Sequence, residues 1–244
     1  MGDTATASDA GVSDDSPPTH PRTIAVDGSA ASGKSTVGRR VASALGYRFL
    51  DTGVMYRAVT LAALQSGIDP HDTETLTRLA SDIAIDVSLP EPGSGQHSRI
   101  AIDGKDVTDH LRDHAIEEAV SLVSRVPGVR QALVHKQRQI AGRHPIVMAG
   151  RDIGTVVLAN ADVKLYLDAG IEERARRRYR DFLASGRDVT HEIVLDDIRR
   201  RDQMDSEREV SPLRAADDAI VIETDGLTLE EVVQQALVLV GYKG

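Results

Sequence analysis

The chain has 244 residues, 41% of them hydrophobic, which suffices for one sizeable core with an inserted subdomain and falls short of two independent enzymes. It contains no cysteine, which excludes a disulfide framework, a thiolate zinc site and a cysteine nucleophile. A formal charge of −9 argues against a surface that tracks nucleic acid throughout, yet ten of the 24 arginines fall in the 35 residues from Arg174 to Arg208, so this region is either built to meet anions or a solvated helix face whose arginines pair with Asp181, Asp196 and Asp197.

Residues 1–21 are small, polar and proline-containing, with four aspartates and no Lys or Arg, and read as a disordered leader. They hold no apolar run of signal-peptide type, and no later stretch approaches the ~18 apolar residues of a membrane span, so the expectation is a cytoplasmic protein without membrane contact. "TIAVDG" (23–28) is a buried strand. It runs into "GSAASGKST" (28–36), which fits G-x-x-x-x-G-K-[ST]: backbone N–H groups turn inward around an anion, Lys34 reaches the β and γ phosphates, and Ser35 is the candidate Mg²⁺ ligand. "KSTVGRRVASALG" follows as a helix, with Val37, Val41 and Leu45 four apart and Gly46 as its stop. Strand, glycine-rich loop and helix together make a working anion site, because the helix N-terminus adds partial positive charge.

"YRFLDTG" gives a second strand and "MYRAVTLAALQSG" a helix. Residues 83–107 alternate apolar and polar positions around a Pro/Gly linker and an Asp103-Gly104 turn, which reads as a small antiparallel insert. Helical patterns return over "IEEAVSLVSRVPGVRQALVHKQRQIAG", broken at Pro127, before the buried strands "PIVMAG" and "VKLYLDA". An arginine-rich helix pair, the strand "AIVIET" and a final helix capped by Thr228 and Glu231 complete the chain. The alternation implies an α/β fold with a parallel sheet of about five strands covered on both faces.

Phosphoryl transfer needs positioning and charge neutralisation, so several arginines are expected besides the loop. The ends of strands supply Thr52 with Arg57, and Arg151 with Asp152; Arg201, Asp205 and Arg208 share one helical face, either as a site or as an ion-pair ladder.

The segments "DGSAASGKST", "LDTGVMYRAVTLAAL", "VSLVSRVPGVRQALVHKQR", "GRDIGTVV", "EERARRRYRD", "RDQMDSEREVSPL" and "ADDAIVIET", in this order, resemble the bacterial cytidylate kinases over residues 23–240. The resemblance implies a P-loop kinase that converts ATP and CMP or dCMP to ADP and CDP or dCDP with Mg²⁺. It also implies a core over about residues 22–56, 143–170 and 210–244, a nucleoside-monophosphate region over 57–142 and a lid over 171–209. Carried over by position, the ATP phosphates fall on Gly28, Ser29, Ala30, Ala31, Ser32, Gly33, Lys34, Ser35 and Thr36. The acceptor phosphate falls on Arg57, Arg151 and Arg208 with Thr52 close by, the ribose on Arg201 and Asp205, and cytosine on Ser121, Arg130 and Asp152. Arg174 and Arg178, four apart in the lid, are the candidate transition-state clamps, with Lys34 and Arg151 as further catalytic groups. A carboxylate that accepts from N4 and a guanidinium that donates to N3 and O2 suit cytosine, whereas uracil presents a carbonyl at the first position. A monomer without nucleic-acid partners is expected.

The resemblance departs at Ala149, where the family usually carries an acidic residue that could hold the Mg²⁺ hydration shell. Asp27 either compensates or caps local N–H groups. The loop also lacks the family's proline and second glycine, but Ser29 and Ala31 are small enough to keep the cradle. Among other readings, a kinase of UMP, AMP or a sugar acid would not need the Ser121, Arg130 and Asp152 set. A GTP switch would need N-K-x-D, and the only asparagine is Asn160. An RNA binder would need stacking aromatics, and aromatic content is 3%.

Overall fold

The structure, a computed structural model, describes residues 21–242; the leader expected over 1–21 lies, except for Pro21, outside the described residues. Strand β1 (Thr23–Gly28), helix α1 (Lys34–Leu45), β2 (Arg48–Asp51) and α2 (Gly53–Gln65) open the fold. Helix α3 (Thr73–Asp82) leads into the strands β3 (Ile85–Ser88), β4 (Arg99–Ile102) and β5 (Lys105–Asp106). Helices α4 (His114–Val123) and α5 (Pro127–Ala141) precede β6 (Ile146–Gly150) and β7 (Val163–Asp168). The arginine-rich helices α6 (Ile171–Ala184) and α7 (His191–Ser206), strand β8 (Ile220–Glu223) and helix α8 (Leu229–Leu239) complete it.

Five strands form one parallel sheet in the order β2-β6-β1-β7-β8. Its inner strands are apolar at consecutive positions because both faces are covered. Ile24, Val26, Val147 and Leu165 pack with Val37 and Val41 of α1 and Val233 and Ala236 of α8. Ala25, Leu50, Ile146 and Met148 face the other way, onto Met55 and Val59 of α2 and Leu133 of α5. The expected doubly covered sheet is therefore present, and the segments that follow β1, β2 and β6 leave it at its carboxyl edge, where ligands of such sheets bind.

The insert is a three-stranded antiparallel sheet, and Asp103 and Gly104, both at positive φ (50° and 80°), make the two-residue turn between β4 and β5. Helix α3 is an addition to the elements expected. Its apolar stripe is narrow, Leu76 and Ala80 being its buried residues, and its start rests on Asp72, which accepts from the Thr75 N–H at 3.0 Å. Helices α6 and α7 enclose a small core of their own, Ala175, Val194 and Ile198, with Tyr179 and Phe182 packed against it. At α8 the Thr228 and Glu231 capping box is formed in full.

Candidate active site

The end of β1 turns into the phosphate loop at a glycine that cannot be replaced cheaply. Gly28 has φ 154°, and a Cβ there would stand 2.5 Å from the Leu167 carbonyl oxygen and 2.6 Å from Ser32 Oγ. Ala31 takes φ 59° and Gly33 takes φ 92°, so the loop curls through the left-handed region at both positions although only one of them is a glycine. Lys34 Nζ donates to the Ser29 carbonyl at 3.0 Å. Burial, followed by the nearby Arg151, pulls its ammonium down to about 7.

Ser35 Oγ donates to Asp51 Oδ2 at 2.6 Å. Asp51 ends β2 and is the register partner of Ala149 on β6. A carboxylate thus stands one strand away from Ala149. Asp27 does something else. Its two oxygens accept from the N–H groups of Ile153 and Gly154 at 2.8 and 2.7 Å, so it caps the π-type turn Ile153–Val157, the second of the two roles open to it. Burial raises its carboxyl to about 6 against those two hydrogen bonds. The cap fixes the stretch that carries Arg151 and Asp152.

These two residues face different partners. Arg151 donates to Asp205 Oδ2 at 2.7 Å and to the Gly28 carbonyl at 3.1 Å, which links the phosphate loop to α7. Burial alone would raise the Asp205 carboxyl, but Arg151 and Arg208 outweigh it and hold the group below the usual carboxylate range. Asp152 pairs with Arg130 through Nη2 and Oδ2; both side chains are almost wholly buried, and Arg130 also donates to the Ser124 carbonyl at 3.0 Å. The Arg130 guanidinium lies 5.3 Å from the Tyr56 ring centroid. Among the described residues, Arg130 Nε, Tyr56 OH and both amide atoms of Gln137 are buried and make no hydrogen bond.

A cleft of about 1140 Å³ joins these groups. Thr52, Arg57, Ser121, Arg130, Arg151, Asp152, Arg178, Arg201, Asp205 and Arg208 all line it, together with residues 30–36. Gly28 and Ser29, at the start of the loop, are outside the lining. Arg174 also stands apart: it is buried, donates to the Ala169 and Ala30 carbonyls at 2.9 and 3.2 Å, and pairs with Asp202 at 2.7 Å. Arg178 is more open and pairs with Glu117 at 2.9 Å. Sequence reasoning passed over Asp51, Tyr56, Glu117 and Arg177. The first two adjoin selected residues, Thr52 and Arg57, at the same strand end, which was the available signal. Arg177 donates to the Thr224 carbonyl at 2.7 Å beside the apolar end of the cleft, Leu227, Leu229 and Val232, a contact across 47 positions that no local pattern announces.

A family model described as cytidylate kinase matches residues 24–241. This chain belongs to the cytidylate kinase family. A cytidylate kinase of Bacillus licheniformis is 45% identical over 90% of this chain and 96% of its own length. The corresponding figures are 49%, 89% and 95% for a cytidylate kinase of Geobacillus kaustophilus, and 46%, 90% and 96% for that of Bacillus subtilis strain 168. Membership of the cytidylate kinase family makes the chain a phosphotransferase, and the parallel sheet with its phosphate loop is the α/β P-loop fold that the motifs imply.

Proposed function

We propose that the chain transfers the γ-phosphoryl group of ATP to CMP or dCMP, giving ADP and CDP or dCDP. The observation that carries this reading is the buried Arg130–Asp152 pair, which opens into the same cleft as the phosphate loop. Asp152 spends one oxygen on Arg130, and the other makes no hydrogen bond among the described residues. A carboxylate oxygen and a guanidinium side by side suit the N4 donor and the N3 and O2 acceptors of cytosine, with Ser121 at the rim. The loop N–H groups and Lys34 take the ATP phosphates, and the apolar end at Leu227, Leu229 and Val232 suits the donor's base. Arg57, Arg151 and Arg208 take the acceptor phosphate beside Thr52. Arg201 and Asp205 take the ribose.

Transfer between two polyanions is then a matter of alignment and charge neutralisation by fixed cations. Arg151 is central, since its bonds to Asp205 and the Gly28 carbonyl hold it between acceptor and donor. Arg178 reaches the reaction from the lid, and Arg174 acts by holding the Ala30 carbonyl in place. Mg²⁺ suits Ser35 with Asp51, because this ion binds through one or two protein oxygens, retains waters and relies on substrate phosphates. Bound there, it would supply charge neutralisation for the phosphates of ATP. The division into a core at about 22–56, 143–170 and 210–244, a monophosphate region at 57–142 and a lid at 171–209 goes with this reading, as do a monomeric state and a cytoplasmic location. No helix among the described residues is long and apolar enough to cross a membrane.

The test is ADP release from ATP with CMP, dCMP, UMP and AMP offered in turn. A site built around a specific hydrogen bond rejects the mismatched analogue by roughly 10⁴-fold, so CMP is expected to exceed UMP by that order in kcat/KM. Asp152→Ala is expected to collapse kcat/KM for CMP and change it far less for UMP. An unchanged CMP-to-UMP ratio would remove Asp152 from base reading.

A further inference from the structure

The carboxylate of Glu117, on α4, collects arginines from separate parts of the chain. Arg178 of α6 donates to Oε1 at 2.9 Å, and Arg187, in the connection between α6 and α7, donates to Oε2 at 2.7 Å. Arg57 Nη2 of α2 stands 3.8 Å from Oε1, and Arg201 of α7 donates to the Glu117 main-chain carbonyl at 2.9 Å. Phe182 braces the arrangement: the Arg178 and Arg187 guanidinium groups lie 4.4 and 4.8 Å from its ring centroid. The Glu117 side chain is only 12% exposed, so this is an enclosed junction and differs from a solvated surface pair.

The charges explain what such a junction does. Three guanidinium groups around one point repel one another and would splay toward water without an anion among them. One carboxylate gathers them yet cannot neutralise all three, so the cluster keeps net positive charge for a phosphate. Both oxygens of Glu117 are committed, one to each lid arginine, which sets where the lid stands relative to Arg57. We propose that Glu117 is a positioning residue for phosphoryl transfer, holding Arg178 of the lid in register with Arg57 of the acceptor site, with Arg187 as its second anchor. The inference rests on the reading that Arg57 meets the acceptor phosphate. The opposite role is a competitor, a carboxylate that occupies these arginines until substrate phosphate displaces it. The two roles predict opposite kinetics.

Glu117→Gln keeps the shape and removes the charge. If Glu117 positions, kcat falls by about tenfold or more while the equilibrium Kd for CMP, measured with a non-hydrolysable ATP analogue, stays within about threefold or tightens, because a negative charge has left the phosphate's surroundings. Glu117→Asp recovers most of the lost kcat. Arg187→Ala lowers kcat in the same sense, and the double variant Glu117→Gln with Arg187→Ala is no slower than Glu117→Gln alone, since both remove one interaction. A kcat at or above the wild-type value in folded Glu117→Gln overturns the proposal in favour of the competitor. Independent effects in the double variant overturn it as well. Should Glu117→Gln not fold, Arg187→Ala still decides, because an unchanged kcat there removes the anchor. A separate arm, Arg57→Ala, tests the underlying reading: if CMP affinity is unaltered, the acceptor phosphate lies elsewhere, whatever Glu117 does.

Discussion

Lys34 shows how a residue can be costly in the fold while holding the role proposed for it in the site. Burial and Arg151 hold its ammonium at about 7, far below the usual lysine value of 10.5. Between these two values the native state binds fewer protons than the unfolded chain, so the lysine's contribution to stability becomes less unfavourable as pH rises from 7, and its full cost falls below 7. Lys34→Met removes that cost along with the charge. It is expected to melt at the same temperature as the wild type or higher at pH 7, and to lose turnover by a factor on the order of 10²–10³, the range of a fixed charge-stabilising donor. Phosphates bound beside the lysine favour its charged form and are expected to restore the proton. ATP binding at pH 8, where the free enzyme's Lys34 is mostly neutral, is therefore expected to take up a large fraction of a proton. Calorimetry in buffers of different ionisation enthalpy checks this. Equal buffer dependence in wild type and Lys34→Met would contradict it. For the same reason kcat/KM for ATP should decline as pH rises through about 7.

Elements were legible in the sequence where period and punctuation agreed. The phosphate loop, the Asp103-Gly104 turn and the Thr228 capping box each carry residue types that only a few backbone conformations accept. Helix α3 was not, because three threonines dilute its helical preference and only a narrow stripe is apolar; it is held by packing on α5, where Gly128 lets Thr77 come close. The π-type turn at Ile153–Val157 was not legible either, since its cap, Asp27, lies 126 positions away. The same distinction separates the two lid arginines that the sequence treats as alike. Arg174 is 8% exposed at its side chain and holds carbonyls of the phosphate loop and the β7–α6 connection, whereas Arg178 is 28% exposed and holds only side chains. Arg174→Ala is therefore expected to lower both the melting temperature and kcat, with a higher KM for ATP as the Ala30 carbonyl loses its anchor. Arg178→Ala should leave the melting temperature nearly unchanged and lower kcat by orders of magnitude, as loss of a clamping arginine does. Thermal melts beside steady-state kinetics separate the two, and equal melting losses would place both arginines in the framework.

At the scale of the whole molecule the charge changes sign between surface and site. The chain carries −9, while eleven basic and seven acidic side chains line the cleft. A substrate with two or more negative charges thus meets repulsion from the molecule at long range and attraction at the cleft. Which field governs binding depends on distance, because salt screens the far charges over a Debye length of about 10 Å at 0.1 M while enclosed charges are screened less. The cleft's arginines are recessed, several of them beside buried carboxylates, so the local field is focused where the proposed reading puts the phosphates. If that field governs, raising ionic strength from about 0.02 M, where the Debye length is about 20 Å, to about 0.3 M, where it is about 6 Å, should raise KM for CMP and for ATP several-fold. The kcat should change less, since once both substrates are bound the remaining charges are enclosed and screened less. Dominance by the −9 surface would give the reverse, a KM that falls as salt removes the repulsion. Steady-state kinetics at matched ionic strength with two different salts separates screening from specific anion binding. A KM that depends on which anion is present, at constant ionic strength, would mean that the anion occupies a phosphate position. A KM that rises with ionic strength, whichever anion supplies it, would identify the field of the cleft as the force that draws the nucleotides in.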